Sequence, residues 1–273
     1  FAHPFDDPLT ISGQGTIGLE ILDQLKEVAN STPDYVLIAV GGGGLVAGVA
    51  TAVKKLSKKT KIVAVEVDNQ AGMNFSITQN KVTELPEIGT FVDGTAVKKV
   101  GELTFKIAKE FVDEFVLVSE GRVCTDMIEL YQNEGIIAEP SGALAVSGLS
   151  KIADKIKSKK VVCIICGGNN DISRYPEVIE KSLVWKGLKH YFMVNFNQKP
   201  GELKKFLTRV LGSKDDIVLF EYIKKTNKEK GVAIVGIQLQ DKKDYPALIA
   251  RLKENQIDFQ EIKKDDMAYK ILI

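Results

Sequence analysis

The chain holds 273 residues with a formal net charge of +1, 44% of them hydrophobic and 27% charged. That length supplies one large core, or a medium and a small one, and that balance offers no basic face for nucleic acid or an acidic membrane. No apolar run could span a bilayer, no signal peptide is visible, and three irregularly spaced cysteines make no disulfide framework, so a reducing cytoplasm is expected.

The opening His3-Pro4-Phe5-Asp6-Asp7-Pro8 reads as the interior of a loop, and the start at Phe1 without methionine reads as a piece of a longer protein. Ile17, Ile21, Leu22, Leu25 and Val28 recur at helical spacing and predict a helix over 15–30. The branched run from Tyr35 to Val40 predicts a buried strand. It empties into Gly41, Gly42, Gly43 and Gly44 before the helical pattern of 45–56. Consecutive glycines are entropically expensive, and an anion is the usual reason for them. Without Cβ atoms, several amide N–H groups can turn toward one phosphate, and the following helix adds its positive end. A side chain at Gly42 or Gly43 would then block the phosphate. Gly42-x-Gly44-x-x-Ala47 also fits a dinucleotide fingerprint, with Glu66 of the predicted strand 62–67 as the ribose-binding acid. A tight turn with no ligand is the bland alternative.

Lys54, Lys55, Lys58, Lys59 and Lys61 read as a solvated helix end. Helix 100–111, strand 114–118, helix 123–133, helix 143–156 and strand 161–166 continue the alternation, so the expected class is α/β with a mainly parallel sheet. Ligands of such sheets gather at the carboxyl ends of strands, where glycines 41–44 and Cys166-Gly167-Gly168-Asn169 both fall. Cys163 and Cys166, three apart on a predicted strand, point to opposite faces. They suit neither a redox pair nor, lacking a second pair, a zinc site.

Near 185–190 the pattern changes. Strand 190–196, a helix from Lys199-Pro200-Gly201-Glu202-Leu203 to 211, strand 217–224, a polar tip at 225–230, strand 231–240, helix 245–255 and a last strand near 259–263 give a β-α-β-β-α-β order. This predicts a ferredoxin-like α+β module of about 80 residues. The expected division is 1–185 and 190–273.

Five motifs now stand in order: His3-Pro4-Phe5-Asp6 with Gly13-Gln14-Gly15-Thr16, the glycines 41–44 with Leu45, Asp93-Gly94-Thr95-Ala96-Val97, Glu139-Pro140-Ser141-Gly142-Ala143 and Cys166-Gly167-Gly168-Asn169. Together they resemble the threonine dehydratases (threonine ammonia-lyases), pyridoxal-phosphate enzymes of fold type II, in the short biosynthetic form with one ACT-like regulatory module. The resemblance covers essentially the whole chain and takes over the glycines from the dinucleotide reading. It implies dehydration and deamination of threonine to 2-oxobutanoate and ammonia in isoleucine synthesis, with serine open as a second substrate. It also implies that Gly41, Gly42, Gly43, Gly44 and Leu45 hold the cofactor phosphate, that Cys166 faces the pyridine nitrogen, and that Glu139 supports the active site either as an anchor or in catalysis.

The family's Schiff-base lysine lies in a segment before His-Pro-Phe-Asp that nothing here matches. The chain alone is therefore expected to be inactive, and a non-catalytic regulatory or assembly fragment is the alternative. A sulfhydrylase-like relative performing β-replacement is disfavoured by the tail. In the tail, Asn197 and the amides around Gly201 are candidates for an effector's carboxylate, with Phe206 and Tyr222 for its branched side chain. The resemblance implies isoleucine or valine as effector, and tails that meet in a homodimer or homotetramer.

Overall fold

The structure, a computed structural model, describes residues 2–222, 229–263 and 266–272. Its first helix, α1, spans Pro8–Ala29 and starts well before residue 15. Asp7 caps it, accepting from the N–H groups of Leu9 and Thr10, and Pro8 is preset for a first turn. Gly15 and Gly18 let α1 lie against the next helix. A Cβ at Gly48 of that helix would stand 2.3 Å from the Ile11 carbonyl oxygen and 2.6 Å from the Gly15 nitrogen.

The chain then runs β1 (Tyr35–Ala39), α2 (Gly44–Leu56), β2 (Lys61–Val67) and α3 (Gly72–Thr78). A 3-10 turn (Asp93–Thr95) precedes α4 (Glu102–Phe111), β3 (Glu114–Val118) and α5 (Glu120–Glu129). Ser119 caps α5, which therefore begins before the predicted residue 123 and passes into a π-helical turn, Leu130–Glu134. Next come α6 (Pro140–Ser147), α7 (Leu149–Ile152) and β4 (Val161–Cys163). The predicted helix 143–156 thus starts at its proline and breaks at Gly148, where a Cβ would meet Val65 at 2.6 Å. The sheet order is β3-β2-β1-β4, all parallel.

β4 is the half-buried edge of that sheet and ends at Cys163, so the buried strand predicted to run to Cys166 is shorter and more exposed. Cys166 lies in the segment beyond it, and face alternation along a strand does not govern its direction. All three cysteines are free. Lys54 departs from a solvated role: its ammonium is 2.6 Å from Asp113 and donates to the Thr60 carbonyl at 2.8 Å. Glu66, 1% exposed, accepts from the N–H groups of Met73 (2.8 Å) and Asn74 (2.7 Å) at the start of α3. It anchors a helix within its own half of the sheet, which removes it from the ribose role. Burial pushes its carboxyl up to about 7, against the lowering effect of those two N–H bonds.

The chain divides into two units, Phe1–Arg174 and Tyr175–Ile273. The second opens with α8 (Tyr175–Trp185) and continues through β5 (Lys189–Asn197), α9 (Glu202–Arg209), β6 (Asp216–Tyr222) and β7 (Lys230–Gln238). It closes with α10 (Tyr245–Glu254), β8 (Asp258–Glu261) and α11 (Met267–Leu272). Its antiparallel sheet has the order β6-β7-β5-β8. That is the ferredoxin-like arrangement, with Phe192, Val194, Phe206, Val235, Leu248 and Leu252 as its core. On the other face, Tyr191, Ile262 and Tyr269 pack with Val184 of α8. The end of the predicted strand 217–224 and most of the tip 225–230 lie outside the described residues. No helix among the described residues is long and apolar enough to cross a membrane.

Candidate functional site

Each strand of the first unit delivers its chain to the same end of the sheet, and there β1 gives way to the glycine turn. Gly43 adopts φ +97°, a conformation that suits glycine, and stands as the N-cap of α2. On the side where Cβ atoms would stand, the turn is backed by protein. A Cβ on Gly41 would stand 2.8 Å from the Thr95 Cα, one on Gly42 2.3 Å from the Phe5 ring, and one on Gly43 2.5 Å from the Met73 methyl. The space those side chains would fill is protein, which adds a packing reason to the one expected from sequence. These residues are glycines because the turn is wedged between Phe5, Thr95, Met73 and Thr104.

The wedge is fastened by residues whose motifs were visible but whose roles were not. His3 Nδ1 accepts from the Asp6 N–H at 2.9 Å, and the Asp6 carboxylate accepts from the N–H groups of Glu102, Leu103 and Thr104 at the start of α4. Thr104 Oγ1 donates to the Gly42 carbonyl at 2.7 Å. The carbonyls of Gly42 and Gly43 are engaged, the latter by the Ala47 N–H. Among the described residues no hydrogen bond is donated by the amides of Gly41, Gly42 or Gly43, and the first amides of α2 are unpaired by helix geometry.

Those amides border a cavity of about 330 Å³, within the usual range for a small ligand. Its lining holds all four glycines, Leu45, Glu139, Ser141, Cys166 and Gly167, together with Phe5, Gln14 and Thr95. The structure thus brings every predicted cofactor-site residue to one place. A cradle of unpartnered amides at a helix N-terminus fits a phosphate ester. In the same lining, the Cys166 thiol is pushed up by burial and further by the negative charge of Glu139, so it stands neutral at physiological pH. Cys163, shielded in β4, is pushed up to about 12 by burial.

In the second unit a smaller cavity of about 150 Å³ is bordered by Asn197, Gly201 and Tyr222. Gly201, at φ +93°, is the N-cap of α9. Phe206 does not line it: the ring is fully buried in the core and edges onto Phe196 at 5.3 Å.

Comparison with known proteins accords with these two units. Residues 1–167 match the family model of pyridoxal-phosphate dependent enzymes, and residues 180–272 match that of the C-terminal regulatory domain of threonine dehydratase. The chain is 48% identical over its full length to L-threonine dehydratase biosynthetic IlvA of Bacillus subtilis, spanning 64% of that relative. It is 46% identical to the Staphylococcus aureus protein of the same name, spanning 65% of it. Among solved structures it resembles the processed form of threonine deaminase isoform 2 from Solanum lycopersicum (TM-score 0.62, 40% identity, 66% of this chain and 52% of that one). It also resembles serine racemase from Dictyostelium discoideum (TM-score 0.56, 34% identity, 62% and 53%). The glycine cradle, the parallel sheet that carries it and the family match over 1–167 together show that the chain belongs to the pyridoxal-phosphate-dependent enzymes.

Proposed function

We propose that this chain is the cofactor-cradling and regulatory part of a cytoplasmic threonine dehydratase, which converts threonine to 2-oxobutanoate and ammonia on the way to isoleucine. The observation that carries the reading is the single cavity shared by the glycine amides and Cys166. When bound there, pyridoxal phosphate supplies an electron sink that eases loss of the substrate's Cα proton and β-hydroxyl. The chain's own part is to hold and orient. Amides of Gly41 to Gly44, with Leu45, would hold the phosphate. The Cys166 thiol would face the ring nitrogen as a neutral partner, which suits elimination better than chemistry needing a long-lived carbanion. We place the Schiff-base lysine in the part of the relatives that this chain does not span. Serine is a second substrate to be tested.

The 150 Å³ cavity of the second unit is our candidate effector site for isoleucine or valine. Asn197 and the α9 amides after Gly201 would take the carboxylate, and Tyr222 would border the side chain. Two such units would meet in a homodimer or homotetramer, where an effector can shift subunit geometry.

The test is the full-length protein with pyridoxal phosphate and threonine, read by 2-oxobutanoate formation and the visible absorbance of the cofactor. Absorbance without product from threonine or serine would sink the reading. The chain spans 64% and 65% of these curated relatives, and a non-catalytic regulatory or assembly fragment is the second reading. Purified protein with a mass of 30.0 kDa would support a non-catalytic module that binds a branched-chain amino acid. A heavier protein would support the enzyme.

A further inference from the structure

Gln14 is a half-buried polar residue on the face by which α1 meets α2. Ile11, Gly18 and Leu22 of that face are buried, and Gln14 falls on the same stripe, three residues after Ile11 and four before Gly18. A Cβ on Gly48 would stand 2.9 Å from the Gln14 carbonyl carbon. The two helices therefore touch at Gly48, about one turn past Gly44 at the start of α2. From there Gln14 reaches the cavity lining together with Gly44 and Leu45. Among the described residues its carboxamide makes no hydrogen bond. The other polar side chains of the lining are committed. The one hydroxyl proton of Thr95 faces two acceptors, Gln70 Oε1 at 3.1 Å and the Val92 carbonyl at 3.2 Å. Ser141 Oγ donates to Glu139 at 2.5 Å, and Glu139, a carboxylate, offers an anion no donor. The Cys166 thiol is a weak donor, and the lining holds no lysine or arginine. Gln14 thus carries the strong side-chain donor that remains free for an anion in this lining.

We propose that Gln14 is a phosphate-binding residue of the cradle. Its carboxamide N–H groups add a side-chain donor to the backbone amides of Gly41 to Leu45 and meet the phosphate ester from α1, without bringing a charge. The inference rests on the proposed pyridoxal phosphate and deepens that reading, because such a contact selects the phosphorylated cofactor over the free alcohol, pyridoxal. A neutral donor suits the place. The start of α2 already supplies the positive end of a helix dipole. A carboxamide can also stand in a half-buried helix stripe at far less desolvation cost than an ammonium. The same contact accounts for a polar side chain among Ile11, Gly15, Gly18 and Leu22, since a polar group at a helix–helix contact costs free energy unless it is paired.

The experiment titrates the full-length protein, freed of cofactor, with pyridoxal phosphate, pyridoxal and inorganic phosphate, followed by absorbance or calorimetry. Gln14→Ala suits the helix and removes the donor. It should weaken pyridoxal phosphate and inorganic phosphate roughly 10- to 100-fold, the worth of one hydrogen bond to a charged group, and pyridoxal by less than about 3-fold. Gln14→Glu keeps the size of the side chain and puts a negative charge where the donor was, so it should lose more phosphate affinity than Gln14→Ala. Equal losses for pyridoxal phosphate and pyridoxal would mean that Gln14 shapes the fold or meets the ring, and overturn the proposal. Unchanged phosphate affinity in Gln14→Ala overturns it as well. Should the variants not fold, a crystal structure of the wild-type protein with pyridoxal phosphate decides. Gln14 Nε2 within about 3.2 Å of a phosphate oxygen supports the contact, and a carboxamide turned elsewhere overturns it. Wild-type protein that binds neither pyridoxal phosphate nor pyridoxal would sink the proposed function. Inorganic phosphate, held more tightly by wild type than by Gln14→Ala, would still support the role of Gln14, and no binding of phosphate at all would overturn it.

Discussion

Replacing Gly42 by alanine tests why the cradle is built of glycine. The new methyl would stand 2.3 Å from Phe5 Cγ and Cδ1. Carbon atoms rest about 3.5–4.0 Å apart, so the ring would have to retreat by roughly 1.2–1.7 Å. It has little freedom to do so. The Phe5 Cα already lies 3.0 Å from where a Cβ of Gly44 would stand. The adjoining Asp6 is fixed by His3 on one side and by the start of α4 on the other. Overpacking of this kind costs about 1–3 kcal/mol. Taken from cofactor binding, that weakens the Kd roughly 5- to 150-fold. The assay is a titration of the full-length protein with pyridoxal phosphate, followed by absorbance. Phe5→Ala in the same background should recover most of the loss, with a coupling of at least about 1 kcal/mol. Wild-type affinity in Gly42→Ala would refute the wedge. A loss that Phe5→Ala leaves untouched would mean that the methyl obstructs the ligand and not the ring.

Glu66 titrates near 7 in the fold against an ordinary 4.5. Its contribution to stability is full below about pH 4.5 and fades as pH rises through 7, a change of about 3 kcal/mol. In urea melts wild type should therefore lose about that much stability relative to Glu66→Gln between pH 4.5 and 8; a constant difference would contradict it. Gly48→Ala should cost about 1–3 kcal/mol by driving α1 off α2. Gly13→Ala, with nothing within 4 Å of the new Cβ, should gain about 0.5–1 kcal/mol from helix propensity; equal Tm shifts of one sign would contradict the packing argument. Cys166→Ser should bind cofactor and turn over near wild type, while Cys166→Asp should lose elimination activity, and full activity in the aspartate variant would remove the ring-nitrogen role. Deleting 190–273 should abolish isoleucine and valine binding in calorimetry, and unchanged binding would place the effector site elsewhere.

The strand–glycine–helix passage at 35–56 was legible because burial periodicity and turn chemistry agree within a few residues. The tail's β-α-β-β-α-β order was legible for the same reason. Helix starts were less so. The start of α1 at Pro8 was masked by Gly13 and Gly15, which local propensity reads as breakers and tertiary packing against Gly48 reads as assets. Likewise Pro140-Ser141-Gly142 looks like a loop, yet Gly142 lets the first turn of α6 press on the carbonyls of Cys166 and Gly167. The short α3 carries no long period of its own, and the buried Glu66 that anchors it lies on β2. The residues that wedge the cradle were hidden for a different reason. Phe5, Thr95 and Thr104 come from three distant stretches, and only the fold brings them to the glycine turn. Phe206 shows the converse: an apolar residue near a candidate site in sequence goes to the core, because the helical period points it there.

In the proposed reading the cradle would hold its ligand with peptide N–H groups, which every residue but proline owns. No substitution can therefore exchange one donor for another, and the grip is fixed for as long as the backbone keeps its path. Change in what this protein accepts would then enter through side chains of the lining, such as Ser141 and Gln14. Half of the cavity is thus closed to gradual variation, and the other half is where relatives that share the same anion hold can diverge in the molecules they transform.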